Sequence, residues 1–170
     1  MKKMIALSGA CGVGKSTLKD ALGELISDSF ACIDTDEVGL NWWDYAGTER
    51  ESEYNDDCIA EAVKMSGDKN LLFASCMNPI DFYSKVKIPQ EITSVYFIGM
   101  TCSDKEITAR LKARPAERMC GSDDFIANQI DYNDWFKLNS NKFQFYIDNT
   151  NMTVKETAEK IAEYINGFNI

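Results

Sequence analysis

The sequence contains no histidine. That removes the residue most used as general base near neutral pH and as metal ligand, and with it every histidine-dependent catalytic triad. Arginines are scarce as well: Arg50, Arg110, Arg114 and Arg118 are all there are. Acidic residues outnumber basic ones, 27 to 18, for a formal charge of −9. A chain so charged repels a phosphate backbone, so no nucleic-acid partner is expected, although a few local cations can still hold a small anion. No apolar run approaches the roughly 20 residues that span a bilayer, so no membrane partner is expected either. The six cysteines contain no C-x-x-C pair and several lie in apolar runs, which favours free thiols over disulfides or metal ligands. "MKKMIALSGACG" at the N-terminus superficially resembles a secretion signal, but its apolar stretch runs into glycines without an A-x-A site. It reads as a buried strand of a cytoplasmic protein. No N-K-x-D motif is present, which argues against a guanine-specific GTPase.

What is present alternates. The 170 residues suffice for one domain with a core, taken as 1–170, and 45% are hydrophobic. Short apolar runs at 4–9, 30–34, 70–76, 94–100 and 143–148 read as strands. Helical spacing recurs at 15–27, with Leu18, Ala21, Leu22, Leu25 and Ile26, and again at 52–65. Ser103 with Glu106, and Thr153 with Glu156, read as capping boxes. The first opens a helix that must stop near Arg114, because Pro115 comes next. The second opens a last helix whose apolar face runs through Val154, Ala158, Ile161, Ala162 and Ile165. Pro79 reads as closing the segment after the third strand. Strands alternating with helices predict an α/β fold, a five-stranded parallel sheet with helices on both faces. Two long excursions interrupt the alternation, an insert at about 37–67 and a segment at about 115–141. Such excursions are where acceptor sites and lids tend to lie.

"GACGVGKS", residues 9–16, matches G-x-x-x-x-G-K-[ST] between a strand and a helix. Gly9, Gly12 and Gly14 permit backbone angles that side chains forbid, so the loop around Cys11 and Val13 can turn successive N–H groups toward anionic oxygens. The following helix adds its N-terminal dipole. Lys15 supplies a full charge to the β- and γ-phosphates of ATP, Ser16 supplies a hydroxyl to Mg²⁺, and Thr17, next in the run, is either a nucleotide-site residue or helix surface and packing. The Cys11 side chain is expected to pack inward and to take no part in chemistry, although its oxidation would disturb the loop. "FACIDTDE" places Asp34 and Asp36 two apart at a strand end, where an extended chain would point both to one side. One can support Mg²⁺ and the other accept the proton of an attacking hydroxyl. Asp34 is the better metal candidate, because the third strand ends without an aspartate. Arg110 and Arg114 share a helix face and Arg118 lies just beyond them, so the three can meet a base and phosphate charge. Arg50 and the Trp42–Trp43–Tyr45 cluster are candidates for holding the acceptor, or for packing the insert.

On these residues the sequence resembles P-loop small-molecule kinases of the nucleoside/nucleotide kinase superfamily, including the shikimate and gluconate kinase branch. "GACGVGKST" is similar to their phosphate loop, "DTD" (34–36) to their D-x-D, "RLKAR" (110–114) to the R-L-x-x-R before the lid, and "IDNTNMTVKETAEKI" (147–161) to their last strand, adenine-side loop and final helix. The resemblance implies a three-layer P-loop fold, an acceptor-binding insert and a lid that closes over ATP·Mg²⁺. It implies Arg110 against adenine, Arg114 and Arg118 near the phosphates and Asp36 at the acceptor. A glycine-rich acceptor motif like that of shikimate kinases is missing from the third strand. No arginine set for an acceptor phosphate is evident. A hydroxyl acceptor, on a nucleoside or polyol-type metabolite, is therefore expected. A phosphate acceptor or a non-kinase nucleotide switch stands as the alternative, and monomer and homodimer both stay open.

Overall fold

The structure is a computed structural model that describes residues 1–167; residues 168–170 of the expected domain lie outside it. Five strands form one sheet: β1 (Lys2–Ser8), β2 (Phe30–Asp34), β3 (Asn70–Ser75), β4 (Ile92–Thr101) and β5 (Phe145–Asp148). Their spatial order is β2-β3-β1-β4-β5, and every pairing is parallel. Six α-helices accompany them among the described residues: α1 (Lys15–Ile26), α2 (Tyr54–Met65), α3 (Pro79–Lys85), α4 (Asp104–Lys112), α5 (Asp123–Leu138) and α6 (Val154–Gly167).

The apolar runs are continuous because both faces of the sheet are covered. Alternate residues of β1 feed separate cores. Ile5 and Leu7 pack with Leu18 and Leu22 of α1 and Ile161 and Ile165 of α6. Met4 and Ala6 pack with Ile59 and Val63 of α2 and Phe82 of α3. Alternation is visible only in the edge strand β5, preceded by Gln144, whose side-chain oxygen accepts from Phe97 N–H at 2.6 Å.

Register decides where function gathers. Ser8 at the end of β1 lies opposite Ser75 of β3, and Asp34 at the end of β2 lies opposite Ala74. The loops leaving three strands therefore start side by side at the carboxyl edge, where open α/β sheets bind ligands.

Several local expectations need correction. Pro79 opens a helix rather than closing a segment. Asn78 caps α3 by accepting from Asp81 N–H at 2.9 Å, and a proline in the first turn forgoes an N–H that would be unpaired anyway. Ser103 Oγ caps the helix by accepting from Glu106 N–H at 3.3 Å, but the Glu106 carboxylate reaches Arg110 instead of completing the box. The Thr153–Glu156 box closes in both directions. Val154 and Leu25 are exposed, because each lies at the margin of its helix stripe. Within 115–141, residues 123–138 form α5, and its Phe136 is fully buried. Asn133 anchors that helix to the end of β4, donating to Cys102 O at 2.9 Å and accepting from Cys102 N–H at 3.4 Å. The exposed part of the excursion is the stretch between α4 and α5.

Candidate active site

The loop from Gly9 to Gly14 takes its shape from three glycines used in two ways. Gly12 and Gly14 have φ of +90° and +100°, which disfavours L side chains. At Gly9 the constraint is space: a Cβ there would come within 2.6 Å of Met100 O on β4. Gly14 then starts α1 with no side-chain cap, so the first amides of that helix have no side chain over them. Lys15 curls back over the loop, donating to Gly9 O at 2.8 Å and Ala10 O at 3.0 Å. Cys11 N–H donates to Gln129 Oε1 of α5 at 2.8 Å, so an oxygen already sits against the loop's amides. Val13 is fully buried and can serve a ligand only through its backbone.

A cavity of about 680 Å³ opens beside the loop. Lys15, Ser16, Asp34, Asp36, Arg114 and Arg118 all border it, although they come from separate segments of the chain. The two aspartates reach it differently than an extended chain would place them. The chain leaves β2 at Asp34 and turns into a 3₁₀ helix at Thr35–Glu37, so the two-residue alternation ends there. Asp34 is buried and caps that turn, accepting from Asp36 N–H at 3.0 Å. Asp36 is exposed to the cavity and pairs with Arg118 at 2.5 Å, joining the α4–α5 stretch to the end of β2. Glu37 completes the turn by accepting from Asp34 N–H and by pairing with Lys19 of α1, a buried lysine that helical spacing had hidden.

Arg110 and Arg114 do not act on one face. Helix α4 ends at Lys112, and the chain turns between them. Arg114 faces the large cavity. Arg110 donates to Gly12 O and Val13 O at 3.2 and 3.0 Å and borders a second cavity of about 320 Å³ with Gly14, Thr17, Asn149 and Met152. Asn149 donates to Val13 O at 3.1 Å, while its Oδ1 is buried without a hydrogen-bond partner. Neither Arg50 nor Trp43 borders either cavity. Arg50 pairs with Glu53 and Asp57 and lies over the Tyr45 ring, all within its own segment. Trp43 is 63% exposed, whereas Trp42 turns toward Tyr54 and the large cavity. The 3₁₀ turn at Trp42–Asp44 separates the two rings.

Other cavity residues carried no signal of their own. Gln129 and Tyr132 are about one turn apart on α5, and Tyr132 O–H donates to Cys76 O at 2.7 Å. Asn78 and Asp81 carry only a helix-start signal, N-P-x-D, where Pro79 reads as closing the segment after the third strand. Cys11 does not pack wholly inward; it is half-buried and faces the large cavity beside Cys76.

The residues suit a magnesium nucleotide. The uncapped amides and Lys15 are donors of the kind phosphate oxygens need, and the orphaned Asn149 oxygen lies by the cavity next to Arg110. The Ser16 hydroxyl and the Asp34 carboxylate give hard oxygen donors for Mg²⁺. No cluster of three or more metal-binding side chains exists among the described residues. Such a cluster is not required where phosphate and water oxygens complete the shell.

The sheet order and the glycine loop define a P-loop nucleotide-binding fold. A family model described as AAA domain matches residues 5–131, and the chain belongs to that family. Among solved structures, shikimate kinase from Acinetobacter baumannii in complex with shikimate is similar at 17% identity and a TM-score of 0.67, covering 100% of this chain and 96% of that one. Deoxyadenosine kinase from M. mycoides is similar at 20% identity, a TM-score of 0.62, and 97% and 99% coverage. A gluconokinase from Sinorhizobium meliloti is similar at 13% identity, a TM-score of 0.57, and 99% and 98% coverage. These likenesses place the fold with the P-loop small-molecule kinases. No curated protein matches the chain. No helix among the described residues is long and apolar enough to cross a membrane.

Proposed function

We propose that the protein is an ATP- and Mg²⁺-dependent phosphotransferase that moves the γ-phosphoryl group to a hydroxyl of a small molecule. One observation carries the reading: Lys15 and Ser16 of the glycine loop border the same cavity as the exposed carboxylate of Asp36. Lys15 leaves its loop carbonyls for the β- and γ-phosphate oxygens. The amides of 12–16 bind the same oxygens, and Arg110 borders the base. Arg114 and Arg118 add charge where it develops on the transferring group. Asp36, released from Arg118, orients the acceptor hydroxyl and takes its proton. Ser16 and Asp34 would hold Mg²⁺, which supplies charge neutralisation between the phosphates when bound.

The acceptor side of the cavity supports a hydroxyl rather than a phosphate acceptor. Trp42, Tyr54, Phe82 and Tyr132 give it aromatic walls, and Asn78 and Asp81 give it hydrogen-bonding groups. Asp81 is paired with Lys85 and Asp36 with Arg118, so the aromatic walls, rather than net charge, favour a hydroxyl compound. A nucleoside or a polyol-type metabolite fits such walls. The test is ADP release with ATP·Mg²⁺ against nucleosides, nucleoside monophosphates, polyols and sugar acids. Turnover is expected only with a hydroxyl compound present. Turnover with a monophosphate alone would overturn the hydroxyl assignment, and equal ATP hydrolysis with no acceptor would overturn the kinase assignment.

A further inference from the structure

Cys11 and Cys76 are 65 residues apart, yet their Sγ atoms lie 3.6 Å from one another in the large cavity. The sheet brings them together. Because Ser8 is in register with Ser75, the phosphate loop and the segment after β3 leave the edge as neighbours. Lys15 Nζ donates to Cys76 Sγ at 3.4 Å, so a cation also faces the pair. We propose that Cys11 and Cys76 are a reversible dithiol–disulfide switch, with Cys76 meeting the oxidant, Cys11 resolving it, and the resulting bond abolishing nucleotide binding.

The roles follow from the surroundings. The hydrogen bond with Cys11 and the Lys15 ammonium hold the Cys76 thiol well below the ordinary range, against desolvation and the Asp34 charge, while Cys76 stays exposed to solvent. The same hydrogen bond and burial push the Cys11 thiol up, against Lys15 and Arg114. Cys76 is therefore the thiolate and Cys11 keeps its proton. With a hydroperoxide as oxidant, the Cys76 sulfur attacks the terminal peroxide oxygen. The O–O bond breaks, and the departing alkoxide or hydroxide takes a proton from solvent. Cys76 becomes a sulfenic acid. Cys11 sulfur then attacks the Cys76 sulfur, the S–O bond breaks, and the hydroxide leaves with the Cys11 proton as water. In sum two thiols and one hydroperoxide yield one disulfide, one alcohol or water, and one water.

The sulfurs must close from 3.6 Å to about 2.05 Å. The bond would then tie the loop to the end of β3 across the phosphate path and remove the thiolate that faces Lys15. That consequence rests on the kinase reading; formation of the bond does not.

The full chain, treated with a small excess of hydrogen peroxide, capped with iodoacetamide and digested without reduction, tests the linkage. The expected product is a Cys11–Cys76 peptide pair, with two of the six thiols lost and both recovered by dithiothreitol. In Cys11→Ser, Cys76 should stop at a sulfenic acid that dimedone traps. Cys120 borders the same cavity and is the internal control. A disulfide through Cys120, or Cys76 overoxidised while Cys11 stays free, overturns the pairing. By calorimetry, oxidised wild type should bind ATP·Mg²⁺ about tenfold or more weakly, and dithiothreitol should restore it. Peroxide should leave the affinity of Cys76→Ser unchanged. Linkage without loss of affinity overturns the switch. Reduced protein that binds no ATP overturns the kinase reading and leaves the thiol pair standing.

Discussion

The two halves of the large cavity are built in opposite ways. On the glycine-loop side, residues 9–16 form one continuous run shaped by three glycines and a helix N-terminus, with Gln129, Arg110 and Asn149 bonding its backbone from outside. On the acceptor side, Asp36, Trp42, Tyr54, Asn78, Asp81 and Tyr132 come from widely separated parts of the chain, and several depend on a neighbour for their position. A contiguous site is set by local backbone geometry. A dispersed one is set by strand register and by the helices packed around it. The contrast also separates functions, because the local half would hold the common nucleotide and the dispersed half the particular acceptor.

The sharpest way to break this division is at Lys15. Lys15→Ala should lower ATP·Mg²⁺ affinity by roughly a hundredfold or more, since a charge-assisted contact to two phosphates is removed. Circular dichroism and melting should change little, because the carbonyls that Lys15 caps can turn to water. If calorimetry shows unchanged ATP affinity, the loop is not the phosphate site. The next effect lies across the cavity. Asp36→Asn should reduce kcat by about 10²- to 10⁴-fold while ATP affinity stays nearly constant, because an amide cannot take the hydroxyl proton. Equal losses in turnover and ATP binding would instead give Asp36 a role in shaping the site through Arg118. The smallest effect sharpens the acceptor half. Trp42→Ala should raise the acceptor KM by up to about tenfold, the size of one aromatic contact. Trp43→Ala should leave steady-state kinetics unchanged. The reverse outcome would mean that the 3₁₀ turn presents the other ring to the substrate.

Legibility followed the same division. The glycine loop, the five strands and the helices α1, α2, α4 and α6 could be read from spacing and caps, since each reflects contacts within a few residues. Asp34 and Asp36 were correctly placed at the cavity, but by reasoning that fails in detail: the backbone stops being extended at Thr35, and Asp34 commits one oxygen to the turn. The helix α3 was missed because a proline was read as a terminator, although Asn78, two residues past the apolar run, supplies its cap. Helix α5 was hidden inside the second excursion, because only Ile126, Asn133 and Phe136 of its 16 residues are buried and they mark no clear apolar stripe. Arg110 and Arg114, four apart, were expected on one face and instead serve two cavities, because the helix ends between them. Gln129 and Cys76 are single residues without a motif, and Asn149 was legible only as part of the 147–161 stretch, without a role of its own. Their proximity to the loop arises from α5, the turn after β5 and the neighbouring strand β3.

By itself, the sequence determined the alternation of strands and helices, the phosphate-loop geometry and the acidic character that disfavours polyanionic partners. Each depends on residue type and near-neighbour spacing. Only the tertiary structure decided which tryptophan borders the large cavity, which arginine borders which cavity, and that two cysteines 65 residues apart are neighbours. Those outcomes depend on parallel register and on where helices end, which are settled by packing across the whole sheet.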